Sequence, residues 1–160
     1  NGLTLKEKWA DGPKTCLGMM VAGFPNLFLV AGPGSPSILT NFMVSIEFSL
    51  DWILRCITDL AKTGNSVIEA GEEAEADWVT RVAGLSEGLL LTKADSWYVG
   101  ANIPGKPRVF LAYAGGVPKY EAECLEVADN GYTGFVVSRP MALSLTTQAR
   151  TKRHLGSEAG

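Results

Sequence analysis

The sequence has a single histidine, His154, and only three cysteines, Cys16, Cys56 and Cys124, in 160 residues. An odd number of cysteines at wide spacing provides neither a disulfide framework nor a zinc ligand set. It predicts three buried thiols in a reducing compartment. His154 stands beside Lys152 and Arg153 in a stretch without periodicity, where nothing would hold it as a catalytic base. An excess of positive charge is missing too. Fourteen Lys and Arg against 17 Asp and Glu leave a net charge of −3, so electrostatics gives no reason to expect nucleic acid or an anionic membrane as partner. No apolar run is long enough to span a bilayer. The first residues do not join a basic segment to an apolar one, so no targeting signal is read there and a cytoplasmic protein is expected.

Apolar residues make up 46% and charged residues 19%, the balance of a globular chain with one core. Its centre of organisation is the stretch from Gly23 to Phe42. Leu27 to Ala31 is a short apolar run opened by Pro25-Asn26, which predicts a buried strand. Gly32-Pro33-Gly34-Ser35-Pro36 ends it, because proline removes backbone donors and glycine opens angles closed to other residues. A long helix is expected from just beyond Thr40. Strand, glycine turn and helix in that order are how open α/β sheets build ligand sites. Bare backbone at such a turn can approach a flat ring or a phosphate. The dinucleotide fingerprint is a near miss, however. Serine stands at its third glycine position, and Glu47 and Asp51 fall inside the helix rather than at the end of a second strand.

Met43, Ile46, Leu50, Ile53, Ile57 and Leu60 recur at spacings of three and four, with Val44, Phe48, Trp52 and Cys56 as a second stripe. So wide an apolar face predicts a long helix buried on more than one side, closed at Gly64 by a left-handed cap. Ser66-Val67-Ile68-Glu69 has capping-box spacing and predicts the start of a second helix. Glu69, Glu72, Glu73, Glu75 and Asp77 would then form a solvated acidic face suited to the helix dipole, with Trp78, Val82 and Leu85 inward.

Thr92 to Arg108 is a long loop rich in glycine and proline, of the kind that inside a compact domain is usually either functional or disordered, and Ser96-Trp97-Tyr98 in its middle argues for function. Its aromatics at Trp97 and Tyr98 are suited to stacking on a ligand. Lys106 and Arg108 could add positive charge near a phosphate. Val109 to Tyr113 reads as a second buried strand. A helix follows from about Pro118 to Asn130 with Tyr120, Cys124 and Val127 inward, and Phe135 to Val137 as a short third strand. Residues 3 to 22 offer no chemistry of their own; Trp9 reads as a packing residue.

Three blocks carry a resemblance. Gly23-Phe24-Pro25-Asn26-Leu27-Phe28 with Gly32-Pro33-Gly34-Ser35-Pro36-Ser37 is the first, and Ser96-Trp97-Tyr98-Val99-Gly100-Ala101-Asn102-Ile103-Pro104-Gly105-Lys106-Pro107-Arg108 the second. Tyr113-Ala114-Gly115-Gly116, Tyr120, Cys124 and Gly131-Tyr132-Thr133-Gly134-Phe135 form the third. In this order they resemble the C-terminal part of the flavin domain of type I Baeyer–Villiger monooxygenases, nearest the phenylacetone and steroid branch.

The resemblance implies an α/β fold, the C-terminal part of a Rossmann-like FAD-binding domain with a long buried helix and a lid-like loop. Residues 1–140 would belong to that domain, with a control loop at about 92–108, and 141–160 would be a flexible tail. It also implies FAD and NADP(H) as cofactors, and a ketone and O2 as substrates, converted to an ester or lactone through a C4a-peroxyflavin. Gly32, Pro33, Gly34, Ser35 and Phe42 would lie near the flavin. Ser37, Ile38, Leu39 and Phe42 would shape the ketone pocket, and Trp97 would touch NADP(H). Ile38 and Phe42 differ in shape from the phenylacetone branch, which bears on the choice of ketone.

The family's nucleotide-binding motifs, its signature between them and its active-site arginine have no counterpart in these 160 residues. No catalytic residue is therefore assigned here. The chain is expected to be a fragment whose partner is the missing N-terminal portion of the same protein, and to be inactive alone. Two other readings are an interaction module derived from a flavoprotein and an N- or S-oxygenating flavin monooxygenase.

Overall fold

The computed structural model of the chain describes residues 2–36, 39–105 and 107–139. Ser37, Ile38, Lys106 and the 141–160 tail with His154 lie outside them. Six regular elements run in the order α1 (Leu5–Lys8), α2 (Phe42–Lys62), β1 (Val67–Ala70), α3 (Glu72–Ser86), α4 (Val117–Asp129) and β2 (Phe135–Ser138). Short 3-10 turns stand at Leu90–Thr92 and Trp97–Val99. The content is mixed α/β. Among the described residues the one sheet is a two-stranded antiparallel pair, with Val67 opposite Ser138 and Ala70 opposite Phe135.

The long helix forms where its periodicity predicts. Asn41 caps it through the Met43 N–H, and Gly64 at φ 71 follows its end. Its burial differs from the expectation. Ser45, Ser49, Trp52, Ile53, Cys56 and Leu60 face the core, while Met43, Leu50, Leu54 and Ile57 are exposed by 49–65%. The helix is thus buried on one side only. The opposite apolar face is open to solvent, flanked by an equally exposed Phe42.

Two expected elements are replaced. Leu27 to Ala31 is not a buried strand; only Phe28 bridges, to Met20, and Val30 is 44% exposed. Left-handed backbone at Asn26 and Ala31 (φ 58 and 50) brackets the segment, and no described strand runs beside it for more than one residue. Ser66 to Glu69 does not start a helix. Its β-branched Val67 and Ile68 pair with β2 instead, and α3 begins after Gly71. The cross-strand partner outweighs a capping box, whose contribution is about 1 kcal/mol. Val109 to Tyr113 is extended but makes only one bridge, Ala112 to Ser35 in parallel. α4 and β2 agree with expectation to within a residue or so.

The most completely buried segment is one the periodicity passes over. Thr15 to Ala22 is buried throughout, Met19, Met20 and Val21 wholly so. Cys16 and Met20 bridge across a bend, and Tyr120 on α4 donates its hydroxyl to the Leu17 carbonyl at 2.7 Å. Trp52 on α2 donates its indole N–H to the Cys124 carbonyl at 2.9 Å, joining α2 to α4 through the core. All three cysteines are free and buried, as their spacing predicts.

Candidate functional site

The glycine turn is held on every carbonyl. The Gly32 carbonyl accepts the Ser35 hydroxyl (2.7 Å) and the Pro33 carbonyl accepts the Thr15 hydroxyl (2.6 Å). The Gly34 carbonyl accepts the Trp78 indole N–H (3.1 Å). Ser35 and Pro36 carbonyls accept the Tyr113 and Leu39 amides at 2.8 and 2.9 Å. Of the amides, Gly34 donates to Leu111 (2.9 Å) and Ser35 to Gly32 (3.1 Å), and the two prolines have none to offer. The five carbonyls and the Gly34 and Ser35 amides of the turn are therefore satisfied inside the protein. A phosphate cradle needs several free N–H groups converging on the anion, which a turn with two prolines and two bonded amides does not offer.

Two glycines are required by geometry. Gly34 sits at φ 83, a conformation a side chain would strain. A Cβ on Gly32 would stand 2.7 Å from the Gly18 carbonyl oxygen, so the buried bend and the turn are in backbone contact there.

Trp78 and Tyr113 stand behind the turn. Their rings stack with centroids 5.5 Å apart and planes 12° from parallel. The Tyr113 hydroxyl donates to Glu123 (3.0 Å), whose other oxygen pairs with Arg81 (3.0 Å). Burial, then the bond to Glu123, raises the affinity of that hydroxyl for its proton, so it remains a donor throughout the physiological range. A cavity of about 390 Å³ opens on this side, with Thr15, Pro33, Gly34, Trp78, Val82 and Phe110 among its lining residues.

The remaining candidates lie farther along. Leu39 and Phe42 are 38% and 45% exposed beside the start of α2. Trp97 is 52% exposed and stacks on Tyr98 with centroids 4.4 Å apart. Its loop is tied to the turn by one intervening chain: the Leu111 amide donates to Tyr98 (2.9 Å) and the Leu111 carbonyl accepts Gly34. Arg108 does not stand free for a phosphate. It pairs with Asp95 and donates to the Ala94 carbonyl at 2.8 Å, so it fastens the loop to itself.

The acidic cluster departs from expectation in part: Glu72, Glu73 and Asp77 are exposed on α3 as expected, whereas Glu75 and Glu69 are not. Glu75 is 4% exposed; it accepts the Ala22 amide at 2.8 Å and pairs with Lys8 at 2.8 Å. Glu69 lies in β1 and accepts the Gly23 amide at 2.7 Å. Both carboxylates brace the backbone leading into the turn rather than facing solvent. Sequence reasoning also missed Thr15 and Trp78 as supports of the turn. Their side chains are ordinary core residues by pattern, and only the fold brings them to Pro33 and Gly34. Among the described residues no cluster of His, Cys, Asp or Glu could hold a metal ion, and no helix is long and apolar enough to cross a membrane.

No family model matches the chain. Relatives do. An acetone monooxygenase (methyl acetate-forming) of Gordonia sp. strain TY-5 is 42% identical over 139 residues, 86% of this chain and 26% of that protein. A Baeyer–Villiger monooxygenase of Pseudooceanicola batsensis is 36% identical over 138 residues, 86% of this chain and 25% of its own length. A phenazine N-monooxygenase of Lysobacter antibioticus is 39% identical over 136 residues, 85% of this chain and 25% of its length. Among solved structures, an oxidized steroid monooxygenase bound to NADP superposes with a TM-score of 0.80 at 43% identity, over 87% of this chain and 25% of that one. The chain thus spans about a quarter of the length of the relatives it matches.

Proposed function

We propose that this chain, whose homologues are Baeyer–Villiger monooxygenases, is the C-terminal part of the Rossmann-like flavin domain of an FAD- and NADPH-dependent enzyme converting a ketone to an ester or lactone. The observation that carries the reading is the turn from Gly32 to Pro36. Its carbonyls and the Gly34 and Ser35 amides are bonded within the protein, and Gly32 and Pro33 remain partly exposed. A neutral surface without side chains at its glycines fits the face of an isoalloxazine ring and does not fit a pyrophosphate. FAD, when bound, supplies the activation of O2 with electrons from NADPH.

What the chain's own residues contribute is position and exclusion of water. Gly32 and Pro33, the partly exposed residues of the turn, would lie along the ring, with the buried Gly34 and Ser35 behind them. Leu39 and Phe42, with Ser37 and Ile38 between the turn and the helix in sequence, would form an apolar wall for the ketone. Trp97, half-exposed on the 92–108 lid, would stack on the nicotinamide. The solvent-exposed face of α2, with Met43, Leu50, Leu54 and Ile57, would pack against the remainder of the enzyme, which a quarter-length chain does not include.

A spectrum of the purified full-length protein tests this. Flavin bands that bleach with NADPH and return with O2, together with ester formation from a ketone, are expected. A colourless folded protein would overturn the reading. The phenazine N-monooxygenase relative supports a second outcome, oxygenation of an aromatic nitrogen. Product analysis with a ketone and an N-heterocycle offered together separates the two.

A further inference from the structure

We infer that Thr15 and Trp78 are positioning residues, which fix the peptide planes of Pro33 and Gly34 and thereby the surface the turn presents to the flavin ring. This deepens the reading above and rests on it for the identity of the ring. Three observations carry it. Both side chains are buried, Thr15 at 2% and Trp78 at 5% exposure, and each gives its donor to one carbonyl of the turn, at 2.6 and 3.1 Å. These are successive carbonyls, so the two bonds together set the orientation of the Pro33–Gly34 peptide and of the one after it. Finally, both side chains pack directly on Gly34 at the wall of the 390 Å³ cavity: a Cβ there would stand 3.1 Å from the Thr15 hydroxyl oxygen and 3.1 Å from the Trp78 indole nitrogen. Pro33 fixes its own φ, but the glycine on either side leaves the flanking torsions open, and the two donors act with the Gly34 amide bond to Leu111 to restrict them.

Trp78 is itself fixed by its stack on Tyr113, whose amide holds the Ser35 carbonyl from the next extended segment. The turn therefore has donors from three separated parts of the chain, at positions 15, 78 and 113. A cofactor that meets this surface meets one whose orientation is set before it arrives, which is the usual way binding is made inexpensive in ordering.

The test is a crossover at position 15 with a second variant at 78, all in the full-length protein. Thr15→Val keeps the shape and deletes the donor. Thr15→Ser keeps the donor and deletes a methyl. Trp78→Phe keeps a ring against Tyr113 and deletes the indole N–H. Two quantities are read: amide hydrogen exchange of the peptide containing Gly34 and Ser35, without cofactor, and the band shape of bound flavin. Loss of one hydrogen bond predicts exchange faster by about tenfold in the Val and Phe variants, with a changed flavin band envelope at unchanged FAD content. Thr15→Ser should stay within about twofold of the parent in exchange, a difference too small for a lost hydrogen bond. Exchange unaltered in the Val and Phe variants, or a Ser variant as altered as the Val, would overturn the inference. A parent protein without flavin would remove the proposed function, and the exchange measurement alone would then decide whether the two side chains position the turn.

Discussion

Lys8 on α1 and Glu75 on α3 meet at 2.8 Å, and the second oxygen of the same carboxylate takes the Ala22 amide. One buried side chain thus joins two helices to the end of the most buried segment. Glu75→Ala leaves that amide without a partner and Lys8 without its counter-charge, so we expect a loss of about 3 kcal/mol in unfolding free energy. Glu75→Gln keeps an acceptor and should lose less. Urea melts of both variants check the order; equal losses would contradict it.

The exposed face of α2 gives a second expectation. Leu54 is 65% exposed here, and a surface substitution of such a residue ordinarily shifts stability by less than about 0.5 kcal/mol. If the rest of the enzyme packs on this face, Leu54→Asp in the full-length protein buries an unpaired charge. Its melting temperature should then fall by several degrees or the protein become insoluble. An unchanged melting temperature would show the face to be free.

Alkaline stability follows from the thiols. Burial, with a smaller contribution from Glu75, pushes Cys16 up to about 12, and burial, with Asp59, pushes Cys56 up to about 11. Folding therefore favours the protonated thiols. Their contribution is complete below the range of an unfolded cysteine, about 8.5, and is lost as pH rises through 11 for Cys56 and 12 for Cys16. Unfolding free energies at pH 8 and pH 10 should fall in that order, less steeply in Cys56→Ala. A thiol reagent at pH 8 should react only as fast as the protein opens.

Trp97→Ala should separate the two cofactors. The ring is half-exposed and, among the described residues, stacks only on Tyr98, so stability should change little. We expect KM for NADPH to rise about two- to tenfold, as loss of an aromatic stacking contact implies, with FAD content unchanged. A variant that loses FAD instead would place the ring at the wrong cofactor.

How far the fold could be read in advance depended on where each element finds its partner. α2 and α4 carry their own periodicity, and the turn residues at Gly32, Pro33 and Gly34 announce themselves. The helices and the position of the turn were accordingly legible. β1 was not, because Val67 and Ile68 acquire their meaning only from Ser138 and Val137, 71 and 69 positions on, in the antiparallel register. Thr15 to Ala22 shows neither period, since a bend buried on all sides has no solvent face to alternate with. The three blocks pointed to the right relatives, whereas the supports of the turn were hidden. A threonine and a tryptophan 63 positions apart become neighbours of Pro33 and Gly34 only when α3 is in place.

The Leu111 segment that joins the turn to the 92–108 loop also limits how that loop can move. Tyr98 and Val99 are fixed by the amides of Leu111 and Val109, and Ala94 and Asp95 by Arg108. Trp97 stands between these two moorings like an oar in its lock. Its backbone has little travel, while its half-exposed indole can leave the Tyr98 ring and swing about its side-chain bonds. Such rotation takes picoseconds to nanoseconds at exposed positions, against microseconds to milliseconds for collective domain motion. If the loop is the lid proposed above, a gate hung this way would open and shut many times within one turnover, and capture of a dinucleotide beneath it would be limited by arrival rather than by closure.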